Sequence, residues 1–158
     1  MTNDREWVER AVALATENVG RSGGPFGAIV VRDGEVVGQG ANRVTADLDP
    51  TAHAEVVAIR EACRTTRDFS LAGSMLYTSC EPCPLCLSAS LWSRVDGVVW
   101  AADRHAAAAA GFDDAHFYEL LAPAPPDASW PLRLEHLPVP GSERPFDAWR
   151  AFDNRVPY

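Results

Sequence analysis

Three of the four cysteines in this 158-residue chain fall in one short run, SCEPCPLC, from Ser79 to Cys86. Cys83 and Cys86 stand at the expected start of a helix, where residues three apart share a face with Cβ atoms about 5–6 Å apart. Side chains there tilt toward the helix N-terminus, so two sulfurs can converge on one ion at Zn–S distances of about 2.3 Å. The positive end of the helix also lowers the cost of ionising the thiols. A second run, TAHAE from Thr51 to Glu55, places His53 and Glu55 at the opening of another helix. On a helix flank they would point to nearly opposite sides, so both can approach one ion only from the helix end. His53 then joins Cys83 and Cys86 as a third ligand, with Glu55 beside an open fourth position. Such a set marks a catalytic rather than a structural zinc. Zinc of this kind lowers the pKa of its bound water from about 16 to about 7, and Glu55 is placed to carry the proton away.

Plainer readings exist for each residue. A lone C-x-x-C can be a redox pair. Cys80 could enter the metal sphere or be a small buried residue, and Cys63 reads as packing. Phe26 and Trp92 could be core aromatics, Asn42 a turn residue after Gly40, and Asp113 or Asp114 the cap of a helix. His105, His116 and His136 have no partner at ligand spacing and read as exposed or capping residues.

The elements that must position these groups follow from periodicity. Apolar residues from Trp7 to Val19 recur at spacings of three and four, predicting a helix from Asn3 to about Val19. Asp33-Gly34 between two β-branched runs predicts a hairpin. A helix is expected from Thr51 to about Arg64, a strand over SMLYTS, and a helix with Pro84 in its first position. A strand over VDGVVWAA follows, then a helix capped by Asp103 and ended by Gly111, and another opened by Asp113 or Asp114. Alternating strands and helices imply an α/β layered domain with a sheet covered on both faces. Prolines crowd between Pro123 and Pro145, around one strand-like run, LRLEHLPV, and before an aromatic helix, FDAWRAF. Residues 123–158 read as an arm docking on a single domain of 1–158.

Composition limits the partners. A hydrophobic fraction of 47% and a charged fraction of 23% belong to a globular chain. The net charge of −8 and the absence of a Lys/Arg cluster argue against a nucleic-acid partner. No apolar run approaches the about 20 residues of a membrane span, and MTNDREWVER is charged where a signal peptide needs apolar residues. The expectation is a cytoplasmic protein with no membrane partner, in a compartment where clustered cysteines serve as metal ligands or redox groups rather than structural disulfides.

HAE followed by PCPLC fits the H-x-E…P-C-x-x-C signature of zinc deaminases. The chain resembles the bacterial guanine deaminases of the cytidine deaminase superfamily along nearly its whole length, through GGPFGA, DPTAHAE, YTSCEPCPLC, AGFDD and PFDAWRAF. That resemblance implies a three-layer α/β/α sandwich around a five-stranded mixed sheet. It also implies a homodimer in which residues 123–158 are exchanged between subunits. By the same similarity Phe26, Asn42, Ala54 and Trp92 contact a small nucleobase, Asp114 is a second acid near the leaving amine, and Tyr158 covers the pocket. One Zn2+ per subunit would be the only cofactor, and the reaction hydrolysis of guanine to xanthine and ammonia. Guanosine, cytosine and other aminated pyrimidines, purines or triazines remain alternative substrates. A tRNA adenosine deaminase shares the zinc motifs but is disfavoured by the acidic balance. An inactive zinc-stabilised binding protein is the alternative from another class.

Overall fold

The computed structural model describes residues 4–112 and 114–122. Helix α1 (Asp4–Gly20) leads into strands β1 (Gly27–Arg32) and β2 (Glu35–Ala41), and a short helix α2 (Val44–Asp47) precedes α3 (Ala54–Thr66). Strand β3 (Ser74–Cys80), helix α4 (Pro84–Ser93), strand β4 (Gly97–Ala102) and helices α5 (Arg104–Ala109) and α6 (Asp114–Leu120) complete the described elements. The strands lie in the order β2-β1-β3-β4. β1 is antiparallel to both β2 and β3, whereas β4 runs parallel to β3 through the crossover helix α4. The sheet is therefore mixed, with four strands among the described residues. The strand-like run over 132–139, the aromatic helix and Tyr158 lie outside them.

The hairpin forms where the Asp-Gly pair placed it. Asp33 and Gly34 both take positive φ, 53° and 79°, the backbone of a tight turn whose twist matches its strands. Residues alternate across β1, and each face has its own helix. Ile29, Val31 and Tyr77 face α1, packed against Trp7, Val8 and Leu14. Ala28, Val30 and Leu76 face the other way, onto Ala54, Ala58 and Ala62 of α3. The sandwich follows from this two-sided burial.

Small residues set the spacing of α3. A Cβ at Gly40 would fall 2.3 Å from the Ala54 carbonyl oxygen, and one at Gly38 2.5 Å from that of Ala58. Helix α3 and strand β2 approach closely along this seam.

Two local features need a physical account, the first a departure from the sequence reading. α3 begins at Ala54 rather than Thr51, because the backbone N–H and the hydroxyl of Thr51 both donate to Asp49 Oδ1, at 2.8 and 2.7 Å, and hold 49–52 as a turn. Helix α4 reverses the usual amphipathic order. Its buried residues are Cys86, Ser90 and Ser93, while Leu91 and Trp92 are 67% and 66% exposed. Burying the serines is tolerable because each hydroxyl donates to a carbonyl of its own helix, Ser90 to Cys86 at 2.8 Å and Ser93 to Ser90 at 3.0 Å.

Candidate active site

Two helix N-termini converge beside the C-terminal end of β3. His53 is the residue before α3 and Cys83 the residue before α4, both with extended backbone and neither with a side-chain cap bond. Ser or Asp at such positions would turn back onto the helix N–H groups. These two side chains instead meet each other. His53 Nδ1 lies 3.5 Å from Cys83 Sγ and 3.4 Å from Cys86 Sγ. The extended backbone at His53 also explains how it shares a site with Glu55, since only Glu55 belongs to the helix.

The three donor atoms lie within 4.8 Å of one another, and among the described residues no other group of three or more His, Cys, Asp or Glu residues could hold a metal ion. The edge between a nitrogen and a sulfur on a zinc tetrahedron is about 3.6 Å, given bonds of about 2.0–2.1 and 2.3 Å. The observed separations fit that edge, so the cluster suits zinc by donor chemistry and by spacing. The thiols titrate as a pair: a hydrogen bond from Cys86 pulls Cys83 below the ordinary thiol range, desolvation opposes it and His53 assists, while Cys86 is pushed up by holding the shared proton. Two thiolates at helix N-termini would complete their ionisation against a divalent cation. Cys80 stands apart from this cluster. It is buried, with Sγ 3.6 Å from the Asp103 carbonyl oxygen.

Glu55 is 6% exposed, and burial, as the largest influence, raises its pKa above the ordinary carboxylate range. Thr78 Oγ1 lies 3.4 Å from Glu55 Oε1 and 3.1 Å from the Cys80 carbonyl oxygen, so its one proton can serve either acceptor. A carboxyl group that is buried yet not a ligand is suited to accepting and returning a proton.

A cavity of about 250 Å³ opens onto this group, with Phe26, Asn42, His53, Glu55, Cys83 and Phe112 among its walls. That is below the about 300–1,000 Å³ of sites for drug-sized ligands. Phe112 meets Phe26 edge to face, with ring centroids 4.8 Å apart and planes at 81°. Val44 N–H donates to Asn42 Oδ1 at 3.2 Å, which orients the amide of a residue that lines the cavity. Glu81, also in the wall, accepts from the Arg104 backbone N–H at 2.9 Å and from Nε at 3.1 Å. Those bonds hold its carboxyl below the ordinary range. The Arg104 guanidinium stacks 3.6 Å from the centre of the Tyr118 ring, whose hydroxyl donates to the Pro82 carbonyl oxygen. The loop before Cys83 is thereby tied to both α5 and α6.

Of the residues singled out by sequence, His53, Cys83, Cys86, Glu55, Phe26 and Asn42 come together here. Ala54 is fully buried behind them, at the head of α3. Asp114 opens α6 two residues after Phe112. Trp92 is on the exposed face of α4, its ring 5.9 Å from the Arg94 guanidinium, and is not part of the cavity wall. Tyr158 lies outside the described residues. Phe112 and Glu81 were not foreseen, although AGFDD and SCEPC contain them.

Comparison with known proteins accords with this geometry. Residues 1–102 match the family model described as the cytidine and deoxycytidylate deaminase zinc-binding region. The guanine deaminase of Bacillus subtilis (strain 168) is 45% identical over 161 aligned residues, covering 99% of each chain. An X-ray structure of guanine deaminase from Bacillus subtilis superimposes with a TM-score of 0.93 at 43% identity, over 100% of this chain and 99% of that one. A tRNA-specific adenosine deaminase of Aquifex aeolicus (strain VF5) is also 45% identical, but over 78 residues, 49% of this chain and 52% of that protein. Relatedness thus extends across nearly the whole chain for one relative and across about half of it for the other. The chain therefore belongs to the cytidine and deoxycytidylate deaminase family, and it is a zinc-dependent hydrolytic deaminase.

Proposed function

We propose that this deaminase acts on free guanine, giving xanthine and ammonia. The observation that carries the reading is Glu55, a buried carboxyl group that is not a ligand, placed between the three-donor cluster and a cavity on the scale of one heterocycle. Guanine is favoured over other bases by the likeness to the Bacillus subtilis guanine deaminase along 99% of both chains.

His53, Cys83 and Cys86 would hold zinc, which when bound would supply a Lewis acid that brings the ionisation of water into the neutral range. Phe26 and Phe112 present ring surface to the planar base, and Asn42 Nδ2 donates to an acceptor on its edge. Glu55 takes a proton from the attacking water and delivers it to the ring nitrogen beside C2, as the new C2–O bond forms. Glu55 next takes the proton of the new C2–OH group and passes it, directly or through Asp114, to the exocyclic amine as the C2=O bond forms. The C2–N bond then breaks with its electron pair on nitrogen, and ammonia leaves neutral. Water supplies the C2 oxygen of xanthine, and no oxidation or reduction occurs.

Two further parts of the reading concern the setting. The four cysteines are free of disulfides, which supports a reducing, cytoplasmic location. Two copies associate as a homodimer with residues 123–158 exchanged between them; the apolar outer face of α4 supports an association of copies.

Ammonia release from the zinc-loaded protein, measured with guanine, guanosine, cytosine, adenine and aminated triazines in parallel, tests the substrate. Guanine is expected to be turned over fastest, with xanthine as product. Turnover of a nucleoside or pyrimidine in its place would overturn guanine while leaving the hydrolytic chemistry intact.

A further inference from the structure

One residue does not line the cavity but is bonded to two residues that do. Asn18, in the last turn of α1, reaches across to two loops that are separate in sequence. Its Nδ2 donates to the Gly24 carbonyl oxygen at 2.8 Å and to the Asn42 carbonyl oxygen at 2.8 Å. Gly24 and Asn42 both line the cavity. The two loops are already joined once, by the Asn42 N–H donating to the Phe26 carbonyl oxygen at 3.0 Å. We propose that Asn18 is a positioning residue for substrate recognition: it clamps the backbone at Gly24 and Asn42 so that the Asn42 side chain presents its donor to the base. This rests on the substrate role proposed above for Asn42.

Side-chain chemistry selects asparagine here. Both carbonyl oxygens need a donor, and the side-chain amide carries two N–H groups on one nitrogen, without charge. Aspartate would offer only acceptors, and serine one donor. Neighbouring glycines are shaped to the same end. A Cβ at Gly23 would fall 2.3 Å from Asn18 Nδ2 and 2.6 Å from its Cγ, so the amide occupies the space that any other residue at 23 would claim. A Cβ at Gly24 would fall 3.0 Å from Asn42 Cγ and Oδ1, directly against the group being positioned. Asn42 is thus held at two points, its backbone carbonyl by Asn18 and its Oδ1 by Val44 N–H.

A double-mutant cycle tests the proposal, because residues acting through one another give non-additive effects. Steady-state kinetics with guanine would be measured for Asn18→Ala, Asn42→Ala and the double variant, each at confirmed full zinc content. Asn18→Ala is expected to raise KM about tenfold with kcat changed by less than about threefold, the pattern of lost uniform binding. Asn42→Ala should raise KM at least as far, and the double variant no further than Asn42→Ala alone. Asn18→Ser, retaining one donor, should fall between wild type and Asn18→Ala. Gly23→Ala, which keeps the amide but displaces it, should reproduce the rise in KM. If Asn42→Ala raises KM but Asn18→Ala and Gly23→Ala leave it unchanged, or if the double variant shows the product of the single effects, the positioning role is wrong. If Asn42→Ala itself leaves KM unchanged, the substrate role of Asn42 fails and this inference falls with it.

Discussion

At the scale of residues, the division of labour between Glu55 and its neighbours decides the chemistry. His53, Cys83 and Cys86 offer three donors with N···S separations of 3.4 and 3.5 Å, the edges of one zinc tetrahedron, and Glu55 is not among the clustered donors. Glu55 is buried beside them, with its proton held more tightly than in water. Replacing Glu55 by Gln keeps shape and hydrogen bonding but removes the ability to accept a proton. Turnover should fall by about 10²- to 10⁴-fold, the usual worth of a general acid–base. Zinc content measured by mass spectrometry should stay at one per chain. Loss of the metal in that variant would make Glu55 a ligand and contradict the division of roles. Much of this site was legible because its residues are close in sequence: HAE and PCPLC each place their groups within a few positions of a helix start. Asn18, Glu81 and Phe112 were not, because their partners are 6 to 24, 23 and 86 residues away and only the fold joins them.

At the scale of elements, the sheet edge and helix ends do the positioning. The Asp-Gly hairpin and the Pro84 helix start could be read directly, since local backbone preference dictates both. The start of α3 could not be read so, because Asp49 captures Thr51 and delays the helix until Ala54. Nor could the reversed face of α4, where the serines look inward and the leucines outward. Helix α1 is anchored to the sheet by the Tyr77 hydroxyl, which donates to Asp4 Oδ1 at 2.7 Å. Burial first, then Asp4, pushes the Tyr77 pKa up to about 12, against about 10 for an ordinary tyrosine. A pKa raised on folding means full stability below pH about 10, lost as pH rises toward about 12. Tyr77→Phe should cost about 1 kcal/mol at neutral pH, and its unfolding free energy should decline less between pH 10 and 12 than that of the wild type. Denaturant titrations at pH 7, 10 and 12 would show this; parallel pH profiles for the two proteins would contradict it.

At the scale of the whole molecule, charge and exposed surface limit what the protein meets. A net charge of −8 disfavours long-range attraction to a polyphosphate backbone. Leu91 and Trp92 are a more specific feature, two large apolar side chains about two-thirds exposed on one helix. If that face joins two copies, Leu91→Glu combined with Trp92→Glu should convert a dimer into a monomer by light scattering; an unchanged mass would place the interface elsewhere. The account as a whole depends on a metal held by two sulfurs and one imidazole with a position left for solvent. Zinc K-edge X-ray absorption of the loaded protein tests that most directly. It should report two sulfur neighbours at about 2.3 Å and two nitrogen or oxygen neighbours at about 2.0–2.1 Å. Three sulfurs, with Cys80 drawn into the sphere, or a site that takes up no zinc, would contradict it.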